Sequence, residues 1–168
     1  MAVLQAVAVD RLLVAGADSR VRLASAVDLV TRCVRLDVAV AELAATGQER
    51  LAQRRRLEFL DLSRLDRRLP GGSRRGLRDL LRDALLRSAD TDAAFLGWAR
   101  ARQANGCDSG GVVGVSDEAF ARARRVESTY RDAMRAADTS TAAKRAFLDQ
   151  WNLVASRLGL RVWTEFAI

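Results

Sequence analysis

Histidine is absent from the 168 residues. Its absence removes the commonest general acid–base, the Ser-His and Cys-His nucleophile pairs and the imidazole metal ligands. A ferritin-like di-iron site needs Glu-x-x-His pairs and is excluded with it. Cysteine occurs only as Cys33 and Cys107, too few for a cysteine-rich zinc site. The carboxylates nowhere take the spacing of a calcium loop. Asp90 and Asp92 are expected as caps beside a helix break, and Asp108 as a loop residue. No metal and no cofactor is expected. The run "MAVLQAVAV" is cut by Asp10 and Arg11 and is too short to span a bilayer. It also lacks the basic n-region and cleavage site of a signal peptide. The chain as written is expected to be soluble, with no transmembrane segment, and is compatible with a domain cut from a longer anchored protein.

Proline occurs once, at Pro70, and lysine once, at Lys144. With 11 glycines, breakers are few and long helices are permitted. The other 27 basic residues are arginine. Together with abundant alanine this is the composition of a GC-rich genome, so arginine content alone carries little functional weight.

What is present reads as helix. Hydrophobic residues make up 49% and charged residues 29%, the balance of a single globular domain over residues 1–168. The apolar spacing predicts a short helix from Val3 to Val14 and a long one, capped by Asp18 or Ser19, reaching Thr46 and stopping at Gly47. A third runs from Gln48 to Leu69 and ends at Pro70-Gly71-Gly72. Ser73 caps the next, and a break is expected at Ser88–Thr91. "NGCDSGGVVG" is a loop. Ser116, Asp117 and Glu118 open a helix whose buried edge runs from Ala119 to Ala137. A last helix starts near Ser140 or Thr141, and the tail "RVWTEFAI" packs on the bundle. The expected fold is an all-α antiparallel bundle of four to six helices. Trp98, Trp151 and Trp163, at helical spacing, are expected in the core rather than around a ligand.

The net charge of +7 is localised: Arg50 to Arg87 holds 12 arginines against 5 acids, while the remainder is balanced. Such a segment attracts phosphates, acidic polymers or an anionic membrane surface, or is simply a salt-bridged helical face. Within it, "GGSRRG" has the Gly71 and Gly76 spacing of a phosphate-binding loop. However, Leu77 and Arg78 stand where Lys and Ser/Thr are needed, and helix precedes it instead of strand. A weaker arrangement remains. Ser73, Arg74, Arg75 and Arg78 cluster at a helix start, where free N–H groups hold anions and positive charge is unfavourable. The plainer alternative is that these arginines swing back to Asp66 or Asp79.

Cys33 lies in an apolar helical stretch and Cys107 in the glycine-rich loop. Inside a cell they would be a buried thiol and an exposed one; outside the membrane they would be expected to join. Three segments, "SAVDLVTRC", "LLRSADTDAAFLGWA" followed by "GC", and "TAAKRAFLDQWNLVASRLGLRVWTEFAI", resemble a group of actinobacterial helical domains of uncharacterised activity. A similar cysteine, an "AD…aF..WA…C" segment and a "KraF…WNp.A…GL" ending recur in them in that order. Leu153 stands where their ending has proline. The resemblance implies an extracytoplasmic location, sometimes beside a membrane anchor or kinase-like protein, and with it a Cys33–Cys107 disulfide.

The expected function is accordingly a non-enzymatic extracytoplasmic sensing or binding module for a protein or anionic cell-surface partner. The alternative is a cytoplasmic nucleic-acid-binding protein, although no recognition helix stands out and few aromatics interleave the arginines. All-helical chorismate mutases work through cationic side chains, and an arginine-dependent enzyme of that type is a remoter alternative without a match to their ordered Arg/Lys/Glu pattern.

Overall fold

The computed structural model describes residues 2–67, 75–107 and 117–168. Among them every regular element is a helix: α1 at Ala2–Thr31, α2 at Leu36–Glu58, a single turn α3 at Ser63–Asp66, α4 at Leu77–Asn105 and α5 at Asp117–Arg157. Four long helices and one short one form the expected bundle. The four residues joining α1 to α2 are too few for anything but an antiparallel hairpin. Contacts between Ser88 and Ser140 and between Trp98 and Tyr130 show that α4 and α5 are antiparallel too. α4 is the central element, packed between α2 and α5, with α1 against α2 and also touching α3 and α4.

Several expected boundaries move. α1 passes through Gly16 and Ser19 without interruption. Ser19 is no cap; its hydroxyl lies 3.0 Å from the carbonyl oxygen of Ala15 and 2.8 Å from Glu49 Oε2. The real break falls at 32–35, where Cys33 and Arg35 take left-handed backbone at φ 57° and 49°. No glycine marks that turn, so the sequence hides it. Arg102 of α4 donates to the carbonyl oxygens of Val30 and Thr31 at 3.0 and 3.2 Å, satisfying groups that the end of α1 leaves open. α2 runs through Gly47 and stops at Glu58, short of Leu69. α4 starts at Leu77 with Gly76, not Ser73, at its N-cap. Its first N–H, on Leu77, donates to Asp66 Oδ1 at 2.7 Å. Neither Ser88–Thr91 nor Ser140–Thr141 breaks a helix, because these hydroxyls bond to carbonyls of their own helix or to one another and leave the ladder intact. Pro70, Gly71, Gly72 and Ser116 lie outside the described residues.

The interior has two apolar parts. One gathers Val9 and Leu13 of α1, Leu57, Leu62 and Leu65, Leu77 and Leu81 of α4, and Phe147, Trp151 and Val154 of α5. The other gathers Leu23 and Val30, Ala39 and Leu43, Phe95 and Trp98, and Ala133. Trp98, Trp151 and Trp163 are all buried, as expected of core aromatics. The tail from residue 158 onward returns along α5 and α1. Asn152 clamps the main chain of Trp163 through two hydrogen bonds of 2.8 and 3.0 Å, and the Trp163 indole donates to Asp10 Oδ1 at 3.0 Å.

Candidate binding site

Between the two apolar parts every long helix contributes polar residues at one level: Ser19 from α1, Thr46, Arg50 and Gln53 from α2, Ser88, Thr91 and Asp92 from α4, and Ser140 and Lys144 from α5. All of these are buried. Arg50 is 3% exposed, Asp92 1% and Lys144 6%, so three formal charges sit inside a bundle of modest size. Charged residues are almost never this enclosed unless they are paired.

Their pairing is incomplete. Arg50 Nε stands 4.0 Å from Asp92 Oδ2, beyond hydrogen-bond range. Among the described residues neither atom has a hydrogen-bond partner. Lys144 donates through Nζ to the main-chain oxygen of Ile168 in the tail. Ser88 Oγ lies 3.2 Å from Ser140 Oγ across the α4–α5 seam. Gly16 makes room for this layer, since a Cβ there would stand 2.9 Å from Arg50 Nη1; one on Gly47, 3.6 Å from the Asp92 Cβ, would make ordinary contact. A glycine inside a helix costs up to about 1 kcal/mol relative to alanine, a cost that the space for the guanidinium explains at Gly16.

Burial sets the electrostatics. Desolvation pushes the Asp92 carboxyl up to about 6, although Arg50, Lys144 and a hydrogen bond from Thr46 pull the other way. Desolvation, reinforced by Arg50 and Arg20, brings the Lys144 ammonium down to about 7. Arg50 is lowered by desolvation against the attraction of Asp92, and a guanidinium remains protonated regardless.

A cavity of about 260 Å³ opens beside this layer, between α1, α4 and α5. Arg20, Arg50, Asp92 and Lys144 line one part of it, with Ser88, Thr91, Ser140 and Thr141; Leu23, Val27, Phe95 and Met134 line another. Arg20, the third cation, donates through Nε to the Phe166 carbonyl at 3.1 Å. A second cavity of about 350 Å³ lies between Trp98, Arg102, Tyr130 and Arg122. Its rim includes Cys107 and Ala119, on either side of residues 108–116, which are not described. Arg102 Nε is enclosed there without a hydrogen-bond partner among the described residues. No charged residue of that lining is buried as a whole, whereas Arg50, Asp92 and Lys144 are, so the first cavity is the better candidate.

The residues singled out by sequence lie elsewhere. Ser73 and Arg74 are outside the described residues, as is Asp108. Arg75 is exposed, 3.4 Å from Asp83 and bonded to the carbonyl of Asp79, and Arg78 is half-buried. Much of the basic segment is a salt-bridged face: Arg54 pairs with Glu58, Arg82 with Asp79, and Arg87 with Asp83 and Asp90. Arg55, Arg56, Arg64 and Arg67 are exposed with no salt bridge among the described residues, beside the 88% exposed Phe59. Arg50, counted with that surface, is instead interior. Asp92 is likewise no cap: it belongs to the middle of α4, and the helix turns it inward. Cys33 and Cys107 stand at disulfide distance, with Cα atoms 6.0 Å apart.

Sequence reasoning passed over the buried layer because each member reads locally as ordinary. One signal was available. In a chain that uses arginine at 27 of 28 basic positions, the one lysine occupies a buried site. Lysine sheds its proton when buried and arginine does not, so the exception has a physical reason.

No protein-family model, curated protein or solved structure matches this chain. No helix among the described residues is long and apolar enough to cross a membrane.

Proposed function

We propose that the protein is a non-enzymatic helical binding module whose ligand is a small anion held in the cavity beside Arg50, between α1, α4 and α5. Arg50 carries the reading. It is a permanent charge, 3% exposed, and among the described residues its Nε has no hydrogen-bond partner and its one ion pair, to Asp92, spans 4.0 Å. An ion so placed costs several kcal/mol in effective desolvation, and a distant carboxylate offsets only part of it. A ligand carboxylate or phosphate would complete the pairing with Arg50 and share Lys144 and Arg20. Residence outside the cytoplasm belongs to the same proposal, supported by the 6.0 Å separation of Cys33 and Cys107.

The test is thermal unfolding and calorimetry with phosphate, sulfate and short-chain carboxylates, on the wild type and on Arg50→Met. A true ligand at a hundred times its Kd adds about 2.7 kcal/mol, several degrees in Tm. Arg50→Met should abolish that gain, and the paired change Arg50→Met with Asp92→Asn, which leaves no uncompensated buried carboxylate, should abolish it while staying folded. Anions that stabilise both proteins equally, or neither, would refute the proposal.

A second reading rests on the same three cations. Arg20, Arg50 and Lys144 around a cavity in an all-α bundle favour an arginine-dependent rearrangement of a dicarboxylate, the chorismate-mutase type of chemistry. Incubation with chorismate decides it: no conversion to prephenate above the uncatalysed rate eliminates the enzyme.

A further inference from the structure

The cavity beside Arg50 presents more than positive charge. Its lining carries charge of both signs: the cations of Arg50, Arg20 and Lys144, and the carboxylate of Asp92, whose Oδ2 stands 4.0 Å from Arg50 Nε. A plain anion satisfies the first and leaves the second facing a like charge. A dicarboxylate makes that worse. A plain cation satisfies Asp92 and meets Arg50, Arg20 and Lys144. A ligand with both an acceptor and a donor meets both signs of charge.

The remaining wall is apolar, formed by Leu23, Val27, Phe95 and Met134. A ligand therefore needs an apolar arm as well as its two charged ends. The volume of about 260 Å³ has room for a small molecule. Resting on the binding-module reading above, we infer that the ligand is a small zwitterion of the α-amino-acid class with an aliphatic side chain. Its carboxylate pairs with Arg50 and Lys144, its ammonium with Asp92, and its side chain lies along Leu23, Val27 and Phe95.

Leucine is the probe, compared by calorimetry with 4-methylpentanoate, which lacks the ammonium, and with 3-methylbutylamine, which lacks the carboxylate. Leucine is expected to bind the wild type about tenfold or more tighter than either, since each analogue leaves one buried charge unpaired. In Asp92→Asn, leucine affinity should fall about tenfold or more while 4-methylpentanoate binds as well as before or better. If 4-methylpentanoate matches leucine on the wild type, or Asp92→Asn leaves leucine binding unchanged, the zwitterion assignment falls and the anion site stands. If the amine matches leucine, the carboxylate end of the assignment is wrong. If neither leucine nor 4-methylpentanoate binds, the zwitterion falls whatever its cause; the inorganic anions tested on Arg50→Met then decide separately whether the anion site stands.

Discussion

Asp92 and Lys144 are perturbed in opposite senses, and the pH dependence follows from the signs. The Asp92 carboxyl lies near 6 in the folded chain against an ordinary value near 4, so between these the folded state binds more protons than the unfolded one. Stability from this group is therefore present at low pH and is lost as pH rises through 6. Lys144 lies near 7 against an ordinary value near 10.5, so its contribution is present at high pH and is lost as pH falls through 7. The groups facing them are Arg50 and Arg20, with Thr46 at the carboxylate. Asp92→Asn should thus gain on the wild type as pH rises from about 4 to about 6, by on the order of 3 kcal/mol at most, and hold that margin above. Lys144→Met should gain as pH falls from about 10 to about 7. Urea midpoints across that range measure both differences; parallel curves for wild type and Asp92→Asn would show that the carboxyl is not buried as described. Apart from the single lysine, none of this was legible beforehand. A residue's enclosure depends on which helix faces it, and Arg50 carries no local mark separating it from Arg54 or Arg55.

Helices were easier to foresee than their ends. The 3.6-residue spacing of leucine, valine and alanine marked the chain as helical, because the packing that buries a stripe also imposes its period. But it divided the helices wrongly: one expected helix joined the end of α1 to the start of α2, and α1, α4 and α5 were each expected in two pieces. The boundaries failed where glycine or serine serves packing instead of punctuation. Gly16 sits mid-helix where a side chain would crowd the layer, Gly47 sits mid-helix with room for one, and the Ser88 and Ser140 hydroxyls meet across a seam. The real turn at Cys33–Arg35 has no breaker at all. Two substitutions expose the distinction. Gly97 lies in α4 with nothing within 4 Å of an added Cβ, so Gly97→Ala should stabilise by about 0.5–1 kcal/mol through helix propensity. Gly16→Ala should lose that gain and weaken ligand binding, because its methyl would stand 2.9 Å from Arg50 Nη1. Equal gains from both, read by thermal unfolding, would mean that the guanidinium has other room.

For the molecule as a whole, the all-α bundle and the approach of Cys33 to Cys107 were both foreseen, the second only through resemblance. The two residues are 74 positions apart and connect the α1–α2 turn to the end of α4. A bond there would add about 4 kcal/mol in the chain-entropy model. Protein folded under oxidising conditions should weigh two hydrogens less than after reduction, and reduction or Cys33→Ser should lower the Tm by several degrees. Two free thiols after oxidative folding would refute the bridge and favour a reducing compartment. The candidate site itself was invisible at this scale, since the basic segment drew attention to the surface while the decisive charges converged from α2, α4 and α5.

An oil-like interior split by a charged stratum has two places where melting can begin. Each half holds its own aliphatic set, and little beyond continuous helix and a few bonds at the divide ties one to the other. A guest lodged at the divide would weld them, so that amide exchange around Trp98 and around Trp151, unequal in the empty protein, would slow together.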